Sequence, residues 1–264
     1  MTKSKDKTRV LFKIVALLIW VGASTIVSQL LVGYTMIFIL GYSTFSQPVW
    51  TAIFSALSYI VALILVIFVP PKIVAKRKNK KRGSKQKRNS DVSPQIISRE
   101  DIGLKGTPTW TDIGLAPVGF FVYLLLATGI TLLFSVFPWF NMTQAQDVGF
   151  STFISGRDKM IAFFVLVVIA PIAEEILVRG WLYHKIRQKT SLLTNNVVSM
   201  CFTIFLVSLL FGIVHMQWNV GVNVFALSIV LCGLREVTGT IYASILLHML
   251  KNGVAFYSLY VLGL

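Results

Sequence analysis

Seven stretches of this chain are apolar over lengths that cross a bilayer, and this feature constrains the fold more than any other. About 20 consecutive apolar residues in helical form span a hydrocarbon core of roughly 30 Å. Inside that core every backbone polar group must be satisfied within the spanning structure, so only helices or closed barrels are available. The runs here are continuous rather than short segments of alternating polarity, which selects helices. With 55% hydrophobic residues in 264 and a mean hydropathy of +0.75, the chain lies outside the range of soluble domains. An all-α, polytopic membrane protein of about seven transmembrane helices is expected.

The spans are read at residues 11–40, 49–69, 115–137, 160–181, 195–214, 220–234 and 239–262. Pro70 and Pro71 are expected to close the second, and the basic run from Lys72 to Arg88 follows. Basic residues concentrate on the cytoplasmic side of membrane proteins. That places the N-terminus, the basic loop and the exits at Lys185–Lys189 and Arg235 in the cytoplasm of a multi-pass cell-membrane protein. The net charge of +15 is thereby assigned to orientation and to contact with anionic lipid, and no nucleic-acid partner is expected. The chain is expected to divide into an N-terminal transmembrane hairpin at 1–71, a basic cytoplasmic loop at 72–110 and a transmembrane core at 111–264. The two cysteines, Cys201 and Cys232, lie inside apolar runs without metal-type spacing and are read as packing residues.

A few polar groups stand out within the last four spans: Glu174, Glu175, Arg179, His215, His248 and Asn252. Charges at membrane depth are costly and normally pair or line a polar cavity. Glu175 and Arg179 are i and i+4, the favourable order for an ion pair on one helix face. Glu174 lies about 100° further round, so the two carboxylates are expected not to face the same partner: Glu175 neutralises Arg179, and Glu174 faces a cavity. His248 and Asn252 are again four apart. Pro171 is placed to kink the fourth span just before the glutamates. A carboxylate with two histidines can activate a water, through a metal or by direct general-base catalysis, and an asparagine can hold or polarise a carbonyl. The sixth span, counted back from Arg235 at the membrane surface to Val220, reaches only about 22 Å. The turn before it is therefore expected inside the bilayer, with Gln217, Asn219 and Asn223 lining the cavity.

The pattern Glu174-Glu175-x-x-x-Arg179, Phe211-x-x-x-His215 and His248-x-x-x-Asn252, in that order on successive spans, resembles the three motifs of the CPBP intramembrane proteases, also called the Abi or type II CAAX-protease-like family. The likeness covers residues 100–262. It implies an endopeptidase acting on a membrane-associated protein or peptide, with Glu174 and His215 activating the water, His248 and Asn252 completing the site, and Glu175 and Arg179 supporting it. It also implies a divalent metal such as zinc on Glu174, His215 and His248, or a metal-free water activated by the glutamate. The alternatives are a catalytically silent scaffold with an immunity or regulatory role, and a transporter, against which the absent internal repeat and the short sixth span speak.

Overall fold

The computed structural model describes residues 2–45, 47–81, 98–140, 156–215 and 218–263. Seven helices there are long and apolar enough to cross a membrane, and no strand occurs among the described residues. They are α1 (Thr2–Leu40), α2 (Pro48–Lys81), α3 (Trp110–Phe134), α4 (Gly156–Thr190), α5 (Asn196–Ile213), α6 (Trp218–Thr238) and α7 (Tyr242–Leu262). The basic loop beyond Lys81, up to residue 97, and most of the loop after α3 lie outside the described residues.

The outward faces carry the large apolar side chains, with Phe12 74% and Phe38 90% exposed. The inward faces of α1 and α2 carry Ser24, Ser28, Ala52, Ala56 and Ala62, all buried. This arrangement suits lipid, where large side chains gain nothing by turning inward and small residues let helix backbones approach. The closest approach joins α5 to α6: a Cβ on Gly212 would stand 2.7 Å from the Gly221 carbonyl oxygen. Only a residue without a Cβ fits there, and the contact fixes the end of α5 just before His215.

Four expectations are corrected. Helix α2 runs on through Pro70 and Pro71 to Lys81; the fixed φ of proline lies in the helical range, so a proline can bend a helix without ending it. Helix α6 begins at Trp218 and continues three residues beyond Arg235 to Thr238. Its 21 residues rise about 31 Å, enough to span, so Arg235 was a poor surface marker and the argument from a short sixth span falls. The asparagines are turned elsewhere: Asn219 Oδ1 accepts from the Val220 N–H at 2.8 Å, and Asn223 Nδ2 donates to the Asn219 carbonyl at 2.9 Å. Neither lines the cavity containing Glu174, and Gln217 lies outside the described residues. Cys232 is buried while Cys201 is exposed, so only the first packs as expected.

Candidate active site

Helix α4 is not uniform, and its irregularity builds the site. Its α-helical turns at Gly156–Phe163, Ala170–Glu175 and Tyr183–Thr190 are separated by two π-helical stretches, Phe164–Ile169 and Ile176–Leu182. In π geometry each N–H reaches back five residues, as Ala170 N–H does to the Val165 carbonyl. The next carbonyl in that register, Leu166, would look to residue 171, and Pro171 has no N–H to offer. The Asn252 amide takes its place: Nδ2 donates to the Leu166 carbonyl at 2.9 Å. Pro171 thus does more than bend α4, because it leaves open the acceptor that ties α7 to it.

The same helix then presents Glu174 and Glu175. Glu175 and Arg179 are both fully buried and paired at 2.8 Å. Arg179 also donates to Ser228 Oγ of α6 at 2.6 Å, and its guanidinium lies 4.4 Å from the centre of the Phe211 ring of α5. The pair therefore joins α4, α5 and α6, a purpose that repays the cost of bringing both charges out of water.

His248 of α7 corrects the expected division between the glutamates. Its Nδ1 stands 2.9 Å from Glu175 Oε1, and its Nε2 stands 3.8 Å from Glu174 Oε2. Both carboxylates address one residue because an imidazole carries nitrogens on two edges, so a 100° offset on α4 still reaches both. A carboxylate oxygen accepts, so the His248 Nδ1 carries the proton. The 3.8 Å separation is beyond hydrogen-bond range, which leaves Nε2 and the Glu174 oxygen each with bonding capacity toward the cavity. His215, in the turn after α5, is fixed in the same way: its Nδ1 donates to the Phe211 carbonyl at 2.7 Å, leaving Nε2 as the free nitrogen. The Phe211 ring packs edge-on against His215 and His248, with centroids 5.2 and 6.2 Å apart.

These groups share a cavity of about 280 Å³ lined by Tyr59, Glu174, His215, His248, Lys251 and Asn252 among apolar neighbours. On this measure a water needs only about 10–15 Å³, so the space is larger than a single water requires. All four residues expected at the site, Glu174, His215, His248 and Asn252, line it. Glu175 and Arg179 stand behind them, within the helix packing. Tyr59 and Lys251 were not foreseen. Both line the cavity that contains the Glu174 carboxylate, and each lies within its electrostatic influence. Lys251 could have been found from sequence as a charge within a span; Tyr59, in α2, carries no local signal.

The donor types suit zinc, and each histidine has its Nδ1 held by an acceptor, as in metal sites with an ordered outer shell. Their arrangement is less suitable. Among the described residues no three His, Cys, Asp or Glu side chains come together closely enough to hold an ion. As arranged, the residues do not fit a resident metal.

The bundle and its cavity define a polytopic helical membrane protein with a carboxylate–imidazole site among its spans. Residues 156–254 match the family model described as type II CAAX prenyl endopeptidase Rce1-like, in agreement with the resemblance read from the three motifs. The match takes in all seven motif residues and implies the class of membrane proteases; it leaves α1, α2 and α3 outside. No curated protein and no solved structure matches the chain.

Proposed function

We propose that this protein is an intramembrane endopeptidase that hydrolyses a peptide bond of a membrane-associated protein or peptide. The observation that carries the reading is the meeting, in one cavity, of the Glu174 carboxylate with two histidines whose Nδ1 atoms are already engaged. Glu174 takes a proton from the attacking water as general base, and His215 Nε2 accepts a hydrogen bond from the same water and aims it at the scissile carbonyl. The second N–H of the Asn252 amide stabilises the oxyanion that forms. Glu174 then returns the proton to the leaving amine. His248, held by Glu175, keeps Nε2 on the cavity side, and the Glu175–Arg179 pair maintains the helix packing on which this alignment depends. The family match supports the protease class.

The N-terminus and basic loop face the cytoplasm in this reading, with the loop against anionic lipid. An untargeted comparison of peptides from cells carrying the wild type or Glu174→Gln at equal expression tests the proposal. Peptides or uncleaved precursors that change only with the carboxylate identify the substrate, and identical peptide profiles would refute the protease reading.

A further inference from the structure

Glu174 is flanked by two groups that none of the three motifs contains. Tyr59 belongs to α2, outside the family match, and is separated from Glu174 by more than a hundred positions in sequence. Helix α2 packs against α4, which brings the phenol into the wall of the cavity that also contains the Glu174 carboxylate. Lys251 belongs to α7, between His248 and Asn252, and lines the same cavity. A lysine within a membrane span is costly unless it meets an opposite charge or a polar space. Among the described residues Lys251 forms no salt bridge, and the carboxylate that lines its cavity is that of Glu174. We infer that Tyr59 and Lys251 are positioning residues for Glu174, holding its carboxylate from α2 and α7, so that the N-terminal hairpin is part of the site rather than an anchor beside it.

The inference rests on the role proposed for Glu174. A carboxylate on a helix next to a π-helical stretch has several rotamers open to it, and a general base works only within hydrogen-bond reach of its water. One neutral donor and one cation on different helices fix the oxygens without removing the lone pair that takes the proton. Neither group need touch the substrate.

The test uses the full-length protein in lipid nanodiscs and the best-cleaved member of a quenched-fluorescence peptide library. Tyr59→Phe and Lys251→Met should lower kcat at least about tenfold with KM within about twofold, the pattern of lost alignment rather than lost binding. Lys251→Arg should recover most of the rate. The double variant should lose less than the product of the single losses, because both act on one carboxylate. Wild-type kcat in both single variants, or a rise in KM alone, would overturn the inference. A second readout does not need cleavage: the infrared difference between wild type and Glu174→Gln isolates the Glu174 carboxyl band, which should shift in Tyr59→Phe and in Lys251→Met. An unmoved band in both variants would overturn the inference even if no peptide were cleaved, whereas a shifted band with no cleavage by the wild type would sustain the bracket and refute the protease reading.

Discussion

Glu175 Oε1 accepts from Arg179 Nη1 at 2.8 Å and from His248 Nδ1 at 2.9 Å, so one buried oxygen holds both the cation that ties three helices together and the imidazole that faces the cavity. The adjacent carboxylate, Glu174, is 3.8 Å from the other nitrogen of that imidazole. Neighbouring residues of one type are thus separated into a structural and a chemical position.

That separation predicts opposite phenotypes for the same substitution. Glu175→Gln leaves Arg179 buried without its counter-charge, a change that costs roughly 3–5 kcal/mol when one partner of a buried pair is removed. The variant should melt at lower temperature or fail to accumulate. Glu174→Gln should lose far less stability than Glu175→Gln, because Lys251 faces a cavity whereas Arg179 is sealed in the helix packing, while losing roughly two to four orders of magnitude in cleavage rate. Thermal melting in detergent beside a cleavage assay checks both.

Asn252→Ala leaves the Leu166 carbonyl with no donor, at a cost of roughly 1–3 kcal/mol for a buried acceptor. Pro171→Ala restores an N–H in the register that Leu166 lacks. The double variant should therefore be less destabilised than the two single changes add up to, a coupling that chemical or thermal denaturation of the four proteins measures.

Gly212→Val would press a side chain into the Gly221 carbonyl, with an overpacking cost of about 1–3 kcal/mol at the helix end that carries His215. Reduced stability and reduced cleavage are expected together. Gly233→Ala, where an added Cβ meets nothing within 4 Å, should leave both unchanged or slightly raise stability.

Dialysis against a strong chelator should leave the cleavage rate intact, since the residues around Glu174 do not assemble a three-ligand cluster. Loss of activity that zinc alone restores would show that Glu174, His215 and His248 converge on an ion in the working enzyme.

The parts of the fold that follow from length and polarity were legible in the sequence. Each of the seven spans overlaps a described helix along most of its length, with ends displaced by a few residues, because the bilayer sets a minimum length that composition cannot disguise. The Glu175–Arg179 pair was legible from spacing alone, as local helical geometry requires. Two kinds of error arose where tertiary structure decides. Arg235 looked like a membrane boundary, but it lies in the last turn of α6 and donates to the Gly239 carbonyl, so the helix had room to continue. The offset between Glu174 and Glu175 was correct as helix geometry and misleading as chemistry, because it took no account of a partner with two nitrogens. Tyr59 reaches the cavity of Glu174 only because α2 packs on α4, and no pattern local to either residue records that approach. The π-helical stretches were likewise hidden, although Pro171 marked where one of them ends.

The most direct test of the central claim is cleavage by purified protein. Wild type, Glu174→Gln and His215→Ala, each confirmed folded by its melting curve, are incubated in nanodiscs with the substrate that the peptide comparison identifies. Cleavage by the wild type and its loss in both variants is the predicted result. Undiminished cleavage by either folded variant would contradict a water activated by Glu174 and His215.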